Sequence, residues 1–84
     1  VMATMSDHLE AEHFSYERRW EDIENMLHKA ERKQNQWVTL FHAAKNDNDF
    51  ALMKECARNK MALNGVIKTL RWTLGDKDIT HPLE

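Results

Sequence analysis

From Asp7 to Lys45 the chain contains neither glycine nor proline, and an apolar seam runs through that stretch at alternating steps of three and four residues. Its members are Leu9, His13, Tyr16, Trp20, Ile23, Leu27, Ala30, Gln34, Trp37, Phe41 and Ala44. Such spacing puts every member on one side of an α-helix, because three and four residues each bring a side chain close to one full turn. The seam reads as a heptad stripe interrupted by two polar residues, His13 and Gln34. It predicts a first helix over about 7–45, ~39 residues and ~58 Å long at ~1.5 Å per residue. Thr4 or Ser6 suits the N-cap, and Asp7 suits the positive end of the helix dipole.

The clearest break is Asn46-Asp47-Asn48-Asp49. These side chains compete for nearby backbone groups, which favours turns and caps over helix interior. A second helix is predicted over about 49–74, opened by Asp47 or Asp49 and stopped at Gly75. The tail, 75–84, contains Pro82 and reads as irregular. A link of four residues forces the two helices to run antiparallel. With only 2 glycines and 1 proline in 84 residues, the chain lacks the turn formers of a β-rich domain. The expected fold is therefore all-α, a single domain over 1–84 built as a long antiparallel hairpin of two helices.

The second helix carries two apolar stripes. Leu52, Met53, Cys56, Leu63, Val66, Ile67, Leu70 and Leu74 lie within a ~140° arc and face the first helix. A weaker stripe holds Phe50, Ala57, Met61 and Trp72, interleaved with Lys54 and Lys68. Folding about Asp47 sets Trp37 against Ala57, Leu27 against Ile67 and Trp20 against Leu74. It also sets Gly65 near Ala30, where two small residues would let the backbones approach closely. The first three turns of the first helix, about 7–19, then overhang without a partner, and Phe14 lies off the seam. The overhang and the second stripe together predict a second chain, most simply a homodimer forming a four-helix bundle. An 84-residue chain has a poor ratio of core to surface, which favours such an assembly. Gln34, polar on the seam near Lys60 or Met61, suits a residue that fixes register.

Charge and composition narrow the function. A net charge of −2 gives no overall basic excess for nonspecific nucleic-acid binding. The distribution is uneven: 1–16 carries only acids, whereas 46–75 carries five bases against three acids. No apolar run approaches the ~18 residues of a membrane span. Val1 to Met5 lacks the basic start and long apolar centre of a secretory signal. The single Cys56 excludes an intrachain disulfide and fits a reducing compartment, so a cytoplasmic location is expected.

Little in the sequence supports catalysis. His8, Glu10, Glu12 and His13 include a Glu-x-x-His spacing, as in di-iron bundles, but the second helix offers only Glu55 as a facing carboxylate. Acids in a first turn that complement the helix dipole explain that cluster more simply. Glu24, His28 and Glu31 share an exposed face, and His42 stands alone. Cys56 lies on the apolar stripe, where a thiol acts as a small hydrophobe. No phosphate-cradling glycine loop exists. No enzyme activity, metal or cofactor is expected.

The leading expectation is a non-enzymatic protein–protein interaction or small adaptor module acting as a helical-bundle homodimer. Its candidate interface residues are Leu9, His13, Phe14, Tyr16, Phe50, Met61 and Trp72. The alternative is a nucleic-acid-associated accessory protein using a basic face of Lys54, Arg58, Lys68 and Arg71, to which Lys29, Arg32 and Lys33 could add. A metal-binding bundle is a distant third.

Overall fold

The computed structural model describes residues 17–84. Those residues form two α-helices, α1 over Trp20–Asn46 and α2 over Phe50–Thr73. They pack against each other as an antiparallel hairpin, and no strand occurs among the described residues. Spans of 27 and 24 residues give arms of ~40 and ~36 Å, close to equal.

The reversal is tight because every residue in it carries out a backbone task. The Asp49 N–H donates to the Ala44 carbonyl at 2.9 Å, and the Asn48 N–H donates to the Lys45 carbonyl at 3.2 Å. This is the paired closure of a Schellman motif, which satisfies carbonyls the helix end leaves open. It requires a left-handed residue after the cap, and Asn48 takes φ 57° there. Asparagine tolerates that region better than other side chains. Asp49 then caps α2, its carboxylate accepting the Leu52 N–H at 3.1 Å. Lys45, in the last turn of α1, complements the negative end of the dipole.

The same motif ends α2. The Asp76 N–H donates to the Arg71 carbonyl at 2.9 Å, and the Gly75 N–H donates to the Trp72 carbonyl at 3.0 Å. Gly75 sits at φ 87°, where a Cβ is strained, so the glycine is required by conformation. Beyond it, the irregular tail folds back along α2. The Lys68 Nζ donates to the Glu84 carbonyl, and Pro82 and Leu83 border Val66 and Thr69.

Three sequence expectations need correction. The first helix does not run unbroken through 17–19: Glu17, Arg18 and Arg19 are non-helical, and Arg19 is an extended N-cap with φ −82° and ψ 156°. Asp22 reaches back to accept the Arg19 N–H at 3.2 Å, and Glu21 and Asp22 supply the acids a first turn favours. These local start signals override the heptad spacing. The expected overhang over 7–19 therefore fails at its described end, while its residues up to 16, Leu9, His13, Phe14 and Tyr16 included, lie outside the described residues. Trp20 is not covered by Leu74 but 63% exposed, since it opens α1 just where α2 ends and the chain turns away. Gly65 makes no close helix approach: a Cβ built there meets nothing within 4 Å.

Among the described residues only Ala30, Ala44 and Cys56 are fully buried. The larger seam residues, Ile23, Leu27, Trp37 and Phe41 on α1 and Leu52, Leu63, Ile67 and Leu70 on α2, are half-buried. Two helices meet along a single line of contact. A small residue on that line disappears between the backbones, while a large one protrudes past it into solvent.

The two glycines respond oppositely to one substitution. Gly65→Ala, in open space mid-helix, is expected to raise stability by up to about 1 kcal/mol. Gly75→Ala, at positive φ, is expected to lower it by about 1 kcal/mol or more. Chemical denaturation of both variants at one protein concentration measures the pair.

Candidate interaction surface

The antiparallel register brings polar groups across the seam at two levels. The Gln34 Nε2 donates to the Lys60 carbonyl at 3.3 Å and also to the Asn64 Oδ1. The polar seam residue is thus satisfied by α2, where the hairpin register places it. One level further from the turn, the Arg71 guanidinium pairs with the Glu31 carboxylate at 2.9 Å. Both partners are more than a third exposed, so the pair adds at most about 1 kcal/mol. It positions the ends of the arms more than it holds them together.

That pairing bears on the expected basic face. Arg71 faces α1 rather than solvent alone, and Lys68 is half-buried with its ammonium on the tail. Lys54 and Arg58 are exposed. The four bases therefore do not form one open patch. On α1, the Lys33 ammonium lies 5.7 Å from the Trp37 ring centroid, a cation–π arrangement that covers one face of the indole.

The second stripe of α2 is placed as the sequence predicts. Phe50 is 66%, Met61 71% and Trp72 49% exposed. Ala57, between them, is half-buried. Beside Met61 the two helices leave an apolar groove of about 290 Å³, whose walls include Trp37, Val38 and Phe41 from α1 and Ala57 and Met61 from α2. The ring of His42 stands edge-on to Phe41, with centroids 5.8 Å apart, at the rim. The groove was not legible as such. Val38 reads in the sequence only as a broadening of the seam, and a groove needs both helices in register.

The opposite side of the hairpin also exposes apolar residues, Met26, Leu40 and Val66. These belong to two helices and are interrupted by Lys29, Lys33 and Gln36, so they form no continuous stripe. Scattered apolar residues of this kind are ordinary on protein surfaces.

Among the described residues no three His, Cys, Asp or Glu side chains converge as a metal site would require. Glu24 and His28 are exposed on α1 and Glu31 is turned to Arg71 of α2, while His8, Glu10, Glu12 and His13 lie outside the described residues. Cys56 is fully buried at the seam; burial pushes its thiol pKa up, and the Glu55 carboxylate pushes it further. A thiol held protonated is a poor nucleophile. No helix of the described residues is long and apolar enough to cross a membrane. Compared with known protein families, curated proteins and solved structures, the chain shows no match.

The burial of Cys56 has a direct readout. Its modification by a thiol-specific reagent at neutral pH is expected to be at least ~100-fold slower in the native protein than in denaturant, because reaction waits on opening of the seam. Comparable rates in the two conditions would show that the helices do not stay closed over it.

Proposed function

We propose that this chain is a non-enzymatic protein–protein interaction module that works as a homodimeric helical bundle. The observation that carries the reading is the exposed line of Phe50, Met61 and Trp72 on a hairpin that buries only three of its described residues. Large apolar side chains aligned on one helix face beside an apolar groove are the surface a helical partner covers. Trp is also among the residues most often found to anchor such contacts.

The chemistry of the described residues supports a binding role over a catalytic one. The one thiol is buried with its pKa raised, and the histidines His28 and His42 sit apart on exposed faces. The reading includes a cytoplasmic location, in keeping with a lone, unpaired cysteine. A nucleic-acid role has less support, since Lys68 and Arg71 already serve contacts within the chain.

Sedimentation equilibrium at micromolar concentration tests the proposal. The expected mass is twice the 10.0 kDa of the chain. Met61→Glu, which puts a charge on the most exposed member of the stripe, is expected to shift the equilibrium to monomer. A stable monomer of the unmodified chain across that range would overturn the reading.

A further inference from the structure

The outer stripe of α2 is symmetric about its own centre. Its members are Phe50, Lys54, Ala57, Met61, Gly65, Lys68 and Trp72, within an arc of about 80° at ~100° per residue. Phe50 and Trp72 each lie eleven residues from Met61, Lys54 and Lys68 each lie seven, and Ala57 and Gly65 each lie four. Reversing the stripe end for end therefore exchanges an aromatic residue with an aromatic, a lysine with a lysine and a small residue with a small one. In an isologous two-fold contact each residue meets the one placed equally far on the other side of the axis, so here aromatic meets aromatic and small meets small, both compatible pairings, while lysine meets lysine.

From this symmetry we infer that a second copy of the chain covers the stripe, with the two α2 helices antiparallel and the two-fold axis passing through Met61. The inference rests on the homodimer reading above and specifies its register. Phe50 packs against Trp72 of the second copy at each end, so both aromatic pairs are buried in one step. Ala57 faces Gly65, and two small residues let the helices approach closely on either side of the axis. A Cβ at Gly65 meets nothing within 4 Å, and the second copy fills that space beside the tail residues Pro82 and Leu83 that border it. Met61 meets itself, and an unbranched thioether adapts to its own image more readily than a branched side chain.

The available area fits this occupant. With about 200 Å² for a large side chain, the exposed fractions of Phe50, Met61 and Trp72 offer roughly 400 Å² per copy. A standard interface takes about 800 Å² from each partner. Three residues supply half of that. The lysine stems, Ala57 and the Val38 side of the groove lie along the same face to extend it. The one unfavourable juxtaposition is Lys54 opposite Lys68. The carbonyl of Glu84 already holds the Lys68 ammonium.

Disulfide trapping in the full chain reads the register. Ala57→Cys and Gly65→Cys are each made alone, one carrying an affinity tag, and mixed under mild oxidation. The antiparallel register brings position 57 of one copy opposite position 65 of the other, whereas like positions stand eight residues, ~12 Å, apart along the axis. That exceeds the Cα separation of about 4.4–6.8 Å that a disulfide tolerates. The mixed product is expected to exceed either symmetric product at least tenfold. Met61→Cys, at the axis, is expected to form a disulfide with its own counterpart, and it serves if Ala57→Cys fails to fold. Dimer affinity should hold or rise from about 0.05 to about 0.5 M salt, because the facing lysines repel and salt screens them. Symmetric products from Ala57→Cys or Gly65→Cys mean a parallel register and overturn the inference. A dimer that traps neither pair overturns the register but leaves the homodimer standing. A monomer overturns both.

Discussion

Asp49 does two jobs at once, and the register of the hairpin follows from it. Its backbone N–H closes the end of α1 on the Ala44 carbonyl, and its carboxylate opens α2 on the Leu52 N–H. No residue is left over between the helices to let one slide along the other. With Asn48 supplying the left-handed step, the chain leaves α1 and enters α2 at one fixed offset. The Gln34 contacts with Lys60 and Asn64, and the Glu31–Arg71 pair beyond them, all require that offset. A shift of one residue would rotate α2 by about 100° and take its leucines off the seam.

The same tight turn limits what the hairpin can bury. Among the described residues it brings two helices together and no third element. Ala30, Ala44 and Cys56 are enclosed because they are small enough to sit between the backbones. Trp37, Phe41 and Leu63 are larger than the gap and remain half-buried. The groove beside Met61 is the space these protruding side chains leave between them. The incomplete core and the open apolar surface are therefore two aspects of one geometry, in which a single contact line cannot cover both sides of each helix.

Much of this was legible in the sequence, because it depends on short-range chemistry. The turn showed in four consecutive Asn and Asp residues, the end of α2 in Gly75, and both stripes of α2 in residue spacing. Gln34 could be read as a polar seam residue near Lys60 or Met61. The features that were not legible arise where a local signal competes with a longer pattern. The heptad seam passes through 16, 20 and 23 without a fault, yet Glu21 and Asp22 start α1 at Trp20, and periodicity cannot register a cap. A glycine inside a helix reads as a site of close packing, but Gly65 faces outward, and only the register of α1 shows that no neighbour lies there. The attachment of Lys68 to Glu84 depends on how the tail leaves the Gly75 turn, which no pattern in 75–84 encodes.

The spacing of the outer stripe explains how one helix can serve two contacts. Phe50, Met61 and Trp72 are eleven residues apart, and so are Leu52, Leu63 and Leu74 on the inner side. Eleven residues overshoot three full turns by about 20°, so both lines drift in step along α2 and keep a constant angle between them. A strict heptad line drifts by about 20° every seven residues in the opposite sense, a faster drift per residue. Because the inner leucines and the outer aromatics share a period, neither set rotates into the other's territory over the length of the helix. α2 can therefore keep its leucines on α1 from end to end while carrying Phe50, Met61 and Trp72, with Lys54 and Lys68 between them, on the other side. This is why Phe50, Met61 and Trp72 stay aligned on one helix, whereas Met26, Leu40 and Val66 are divided between two.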